Sequence, residues 1–495
     1  MSQKKTKAYF ALLLIIFAFL YVFFSCIHPL QVFDTDDWTC IAISRDAVPD
    51  TTEWNPTRIF PEIFMPVCGA IAAYVVSPII DNYLLSMTVV SALVVSCVIV
   101  MYLYSFGEAM QHISSVDFTQ KIAIVLFFFL CHFWIFRNAQ ENNYHLFFSQ
   151  DMACIFYYTI PTLLSSIILL NFESTDRAWN QFSYLKRGIL ILAGYLAVFS
   201  NLFCSVVIAV YAAMSLFFSF LKHLRSNRNI RTAFSVFKDN CFFTAIVILW
   251  LGSLVLEVSG GRSNEVGNSF SMEQLSSTLE YLRLLLTSVN KLFLFVAGCI
   301  FVLAVVFLRS SKLKNDVDKN CLEKMVFYFL CALCTTVFLI LLCAVGSLSH
   351  YIGRSDVALS FCMYFLLMLS VAVSYVLRKI PKLVELFPLL LCIILFNINT
   401  QGSTFAEPND SRLPPETVSR FSEYIYDQIV EASENGATEV VLHIPKYNDP
   451  NNWPHIVYFG ERLSNTLYKH GQIEAPMSIV LVMDENINTD FGLPQ

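Results

Sequence analysis

Long apolar runs recur along the chain, broken by short polar stretches, a pattern that predicts a bundle of membrane-crossing helices. The first run, Ala8 to Ile27, holds twenty residues without a charge, enough to cross a hydrocarbon core of roughly 30 Å. Later runs fall near 241–257, 291–308, 325–346, 356–377 and 383–399. The earlier half offers 59–80, 83–105, 121–136, 151–171 and 188–221. As a single helix the last would be about 50 Å long. Two arrangements fit. In one, 59–80 crosses and 188–221 is one tilted helix. In the other, 59–80 lies along the interface and 188–221 is two short crossings that turn near Ser200-Asn201. The second is preferred, because Pro61, Glu62, Pro66 and Pro78 suit a lipid-facing span poorly. The fold class is thus a polytopic α-helical membrane protein of roughly 10–11 spans, with interfacial helices.

Charge then assigns the sides. Lys4, Lys5 and Lys7 precede the first run. Lys222, Arg225, Arg228, Arg231 and Lys238 occupy the loop 222–240, and Arg309, Lys312, Lys314, Lys319 and Lys324 the loop 309–324. Arg378, Lys379 and Lys382 follow a later run. Loops rich in Lys and Arg stay in the cytoplasm, so the amino terminus is expected there. The segments 31–82, 137–151, 258–290, 347–355 and 400–495 then meet on the outer face. Within 258–290, Met272, Leu275, Leu279, Leu282, Leu286 and Val289 form one helical stripe, fit to lie on a membrane, lid a cavity or pack on a core.

The end of the chain has a different character. Residues 401–495 carry 14 acids and 5 bases, a net −9, against +3 for the rest. So acidic a region argues against a nucleic-acid partner. Pro414-Pro415-Glu416 opens a helix that presents Val418, Phe421, Ile425 and Ile429 on one face and ends at Gly436. Strands follow at 439–444 and 477–483, around a helix after Pro454. The expected division is a transmembrane catalytic domain, 1–400, and a small soluble extracytoplasmic α/β domain, 401–495. The 15 cysteines lie almost wholly in the apolar runs, with none after 400, and read as buried hydrophobes.

Candidate chemistry gathers in the outer segments. Asp34-Thr35-Asp36-Asp37-Trp38 lies just past the first run. Asp36 and Asp37 can take a hydroxyl proton or hold a divalent cation, Mg or Mn, against a phosphate. Ending the span as a polar loop is the plain alternative. Arg58 and Glu62 border the 59–80 segment, where a guanidinium suits a phosphate at headgroup depth or simply snorkels. The stretch from Arg137 through Glu141 and Asn143 to His145 is densely polar and leads to Asp151. A carboxylate beside a span needs a reason; helix capping or a share in the Asp36–Asp37 site supplies one. His350 and Arg354 lie between two runs on the same face, and Trp453 sits in Asn451-Asn452-Trp453-Pro454-His455, which is suited to stacking on a sugar or to packing a helix entry. P-loop, Rossmann, HExxH and GxSxG signatures are absent.

Asp36-Asp37-Trp38, Asn55-Pro56-Thr57-Arg58, the polar loop leading to Asp151 and the outer terminal region together resemble the GT-C class of integral membrane glycosyltransferases, and within it the bacterial O-antigen glucosyltransferase type. The resemblance implies transfer of a sugar, glucosyl by analogy, from a polyprenyl-phosphate donor to a lipid-linked polysaccharide at the outer face of the plasma membrane, amid membrane lipids. It implies Asp36 or Asp37 as base or metal ligand and Asp151, or Glu141, as a second acidic contribution. Trp38, Arg58, Glu62, Arg137, Asn143, His350, Arg354 and Trp453 become expected substrate contacts. No cofactor is firmly implied. An O-antigen polymerase or ligase, a polysaccharide flippase or transporter, and a non-catalytic scaffold are the competing readings.

Overall fold

The computed structural model describes residues 3–43, 59–136, 144–175, 179–227, 234–259, 269–310, 316–400, 405 and 407–493. Helix α1, Lys4–Ile27, ends in a π-helical turn, and a short α2, Thr35–Cys40, follows. Next come α3, Ile59–Ile80; α4, Tyr83–Ser114; α5, Phe118–Trp134; and α6, Met152–Glu173. The chain continues through α7, Tyr184–Val198; α8, Leu202–Asn227; α9, Ser235–Asp239; and α10, Cys241–Ser259. Then α11, Met272–Thr287; α12, Lys291–Ser310; α13, Asp316–Val345; α14, Ser355–Lys379; and α15, Phe387–Thr400 complete the bundle. Among the described residues ten helices are long and apolar enough to cross a membrane, so the chain is a multi-pass helical membrane protein. Helix α13 begins at Asp316, well before the expected 325, because Asp316 and Asp318 sit favourably at its positive N-terminal end.

The break expected near Ser200-Asn201 separates α7 from α8, and its cause is local. Pro161 has no N–H, so the carbonyl of Tyr157 loses its helical partner, and residues Ile155–Thr159 relax into a π turn. Asn201 Nδ2 takes up that carbonyl at 2.5 Å, while its Oδ1 accepts from Cys204 N at 3.2 Å and so caps α8.

Helix α3 was expected at the interface. By length and composition it counts among the ten candidate spans. Its hydrogen bonds, however, run to loop, π-turn and terminal segments. Phe60 N donates to Phe199 O at 3.3 Å, Glu62 receives the Tyr157 hydroxyl at 2.8 Å, and Tyr74 donates to Lys469 O at 2.6 Å. Gly69 lies so close to Ile41 that a Cβ would come within 2.1 Å of its carbonyl oxygen.

The end of the bundle opposite α3 is held by ion pairs. Lys121, fully buried, lies 2.5 Å from Glu108; Lys324 meets Glu173; Arg378 and Lys379 both meet Asp318. Among the described residues, Lys121, Lys324, Arg378 and Lys379 thus gather away from the end where α3 lies.

After α15 comes a small α/β unit: α16, Pro415–Glu434; β1, Glu439–Ile444; α17, Phe459–Lys469; β2, Ser478–Met483; and α18, Glu485–Phe491. The two strands pair in parallel, Glu439 with Ser478 through Ile444 with Met483, joined by a crossover containing α17. This unit shares its core with the bundle. Phe33 packs on Phe421 and His455, and Trp38 is wholly buried in the same core. Backbone and side-chain hydrogen bonds join Thr35 to Pro454, Ser422 to Val32 and Thr466 to Trp38.

Candidate active site

Helix α2 positions the first carboxylates. Asp34 is its N-cap, its Oδ1 accepting from Asp37 N at 2.9 Å. Successive helical residues point about 100° apart, so Asp36 and Asp37 part company. Asp37 turns inward, where Oδ1 accepts from Ala153 N at 2.8 Å and Oδ2 from Phe33 N at 3.2 Å. Asp36 turns into a cavity. Asp151 is the N-cap of α6, accepting from Cys154 N.

That cavity, about 330 Å³, is lined by Asp36, Asp151, His350, Arg354 and Trp453 together with Gln150, Tyr157, Tyr158 and Asp410. Five of the expected residues, from four distant stretches, therefore share one hollow. Arg354 is held firmly. Its Nε and Nη2 donate to Asp356 at 3.1 and 2.6 Å, and its guanidinium lies 4.7 and 4.8 Å from the ring centres of Tyr158 and Tyr351. A second cavity of about 400 Å³ shares Gln150, His350, Arg354 and Asp410. Its other walls include Phe136, Tyr144, Phe148, Leu284 and Leu285. Helix α11 walls this cavity with Tyr281, Leu284 and Leu285, not with the stripe read from the sequence, of which Met272, Leu279 and Leu286 are exposed.

The other expected contacts lie elsewhere. Asp37 is 1% exposed and Trp38 fully buried, and neither lines the cavity. Trp38, expected at a membrane surface, is drawn into the core beneath the terminal unit. Glu62 stands one layer behind the wall, on the Tyr157 hydroxyl. Arg58, Arg137, Glu141 and Asn143 lie outside the described residues.

Sequence reasoning passed over Asp34 as a site residue, and Asp410 altogether. Asp34 was visible as an Asx residue three before Asp37, the spacing of a cap. Asp410 lay in the polar turn 408–412 ahead of a helix, a loop of the kind that carries function.

Asp34, Asp37 and Asp151 each offer a carboxylate oxygen within 4.8 Å of the others, and all three are buried. Asp34 Oδ2 has no hydrogen-bond partner. Burial, followed by the charges of Asp37 and Asp151, raises the Asp34 carboxyl; burial, followed by Asp151, raises Asp37. Asp151 is pushed up to about 7, chiefly by burial and then by Asp410, with Arg354 opposing. Three crowded carboxylates with one orphaned oxygen fit a hard divalent cation. Comparison with known proteins finds no matching family model, no matching curated protein and no matching solved structure.

Proposed function

We propose that the chain is a glycosyltransferase of the GT-C kind, working at the outer face of a bacterial inner membrane. It would transfer a sugar from a polyprenyl-phosphate donor to a lipid-linked polysaccharide. The observation that carries this reading is the convergence of Asp36, Asp151, Arg354 and Trp453 on one cavity, beside a second cavity walled partly by apolar side chains. The concentration of bases at the far end of the bundle supports placing that end in the cytoplasm and the cavity outside.

In this reading the acceptor hydroxyl gives its proton to Asp36 or Asp151 as its oxygen bonds to the anomeric carbon. The bond from that carbon to the phosphate oxygen breaks, and its electron pair leaves with polyprenyl phosphate. A raised carboxyl near the working pH suits Asp151 to proton transfer. Arg354, fixed by Asp356 and two tyrosine rings, presents a pre-oriented positive charge to the departing phosphate. Where Asp34, Asp37 and Asp151 hold a divalent cation, which would supply positive charge against the phosphate, Asp151 is no longer free to take the proton and Asp36 is left as the base. Asp37, satisfied by two backbone N–H groups, shapes the site without facing the substrate.

The test compares the mass and linkages of the surface glycan in a deletion strain and in the wild type, with complementation by Asp36→Asn, Asp151→Asn and wild-type genes. The reading requires that deletion remove a sugar substituent and that only the wild-type gene restore it fully. An unchanged glycan in the deletion strain would sink it.

A further inference from the structure

The turn between α15 and α16 contributes a residue that the proposed chemistry has not used. His28 Nδ1 and Glu407 Oε2 lie 3.2 Å apart, tying its start to the end of α1. Asn409 locks it internally, its Oδ1 accepting from Leu413 N at 2.9 Å and its Nδ2 donating to Leu413 O at 3.0 Å. Asp410 is held inside that turn and lines both cavities. The Trp453 indole N–H donates to its Oδ2 at 2.6 Å, so both partners come from the terminal region and stand in one wall.

In the described lining of the smaller cavity the Asp410 carboxylate stands beside Trp453, and the guanidinium there, Arg354, already forms a two-point pair with Asp356. An ionised carboxylate at Asp410 accepts hydrogen bonds and cannot donate them, so it matches hydroxyl and ammonium donors. An indole beside it offers an apolar face of the kind that covers a pyranose ring. A sugar whose own carboxylate came against Asp410, rather than against Arg354, would meet like charge in a cavity walled by protein, where repulsion is less screened than in open water.

We propose that Asp410 is a specificity-determining residue, forming with Trp453 a sugar subsite that accepts neutral or amino-bearing pyranoses and rejects carboxylate-bearing ones. The inference rests on the glycosyltransferase reading only in making that sugar a substrate. The subsite is a feature of this wall and is measured without any transfer.

Saturation-transfer NMR on the purified full-length protein in detergent tests it, with methyl glucoside, methyl glucosaminide and methyl glucuronide as probes. The first two should bind, and the glucuronide at least about tenfold more weakly. Asp410→Asn keeps an acceptor for the indole N–H but removes the charge, and should narrow that gap to under about threefold. Trp453→Phe should weaken all three probes and keep their order. Equal binding of glucuronide and glucoside to the wild type, absence of binding by any probe, or an unchanged gap in folded Asp410→Asn protein would overturn the proposal. Should Asp410→Asn not fold, the wild-type ratio and Trp453→Phe still decide. A failed subsite leaves the glycan of the deletion strain altered, whereas a failed glycosyltransferase reading leaves that glycan unchanged whatever the probes do.

Discussion

Replacing Arg354 by Ala would strand the Asp356 carboxylate, which is 1% exposed and, among the described residues, keeps the hydrogen bond from Val357 N. Removing one partner of a buried pair costs about 3–5 kcal/mol, because the remaining charge has lost its counter-ion. The guanidinium also leaves two tyrosine faces, each cation–π contact contributing about 0.5–2 kcal/mol. Thermal unfolding of the purified protein should therefore show Arg354→Ala markedly destabilised. The double variant Arg354→Ala/Asp356→Ala has no unpaired charge and should recover much of that loss while remaining below wild type. Sugar transfer behaves differently. If the guanidinium faces the departing phosphate, both variants should fall about 10²–10³-fold in rate, the cost typical of losing one pre-oriented charge-stabilising donor. The reasoning fails if Arg354→Ala unfolds like wild type, or if the double variant regains transfer along with stability.

Three further outcomes follow from the same geometry. Asp151 is held near 7 by burial and by Asp410, well above its unfolded value, so the native state binds the extra proton. Cation-free protein should lose stability as pH rises from about 4 through about 7, and Asp151→Asn should remove that slope; a pH series of unfolding temperatures checks it. If Asp151 is the base of the proposed transfer, the rate should climb over the upper part of the same range, since only the ionised carboxylate can take the proton. Electron paramagnetic resonance with Mn(II) should detect a bound ion that Asp34→Ala weakens by about tenfold or more; wild-type protein without bound Mn(II) would remove the cation from the account. Gly69→Ala places a Cβ against the Ile41 backbone, which cannot swing aside, so the yield of folded protein should drop by comparison with Gly298→Ala, whose Cβ meets nothing within 4 Å.

How far the sequence carried the reading differs from residue to residue. Asp151 and Arg354 could be found because a charge at the edge of an apolar run is costly and demands a purpose. The break before α8 was visible as a polar pair inside an over-long run. Asp36 and Asp37 could not be told apart, because their facing depends on where α2 starts, and that is fixed by the Asp34 cap. Trp38 was misplaced for a related reason. Tryptophan beside a span suggests the interfacial belt, and only the docking of the terminal unit reveals that it is covered. Asp410 was visible only as a member of a polar turn ahead of a helix; that it shares a cavity with Asp151 is a tertiary fact that no local spacing encodes. The elements of the terminal unit were legible, since alternating and helical periods both show there, but its sharing of a core with residues 30–41 was not.

That shared core imposes an order on biosynthesis. The stretch carrying Asp36 leaves the ribosome near the start of translation, yet the residues that cover Phe33 and Trp38 come from the last fifth of the chain. A nascent polypeptide halted before Asp410 would display an uncovered tryptophan and an unfinished pocket, conspicuous to quality-control proteases. On the proposed reading, a pocket fit for transfer is complete only once the terminal unit has docked on residues 33–38.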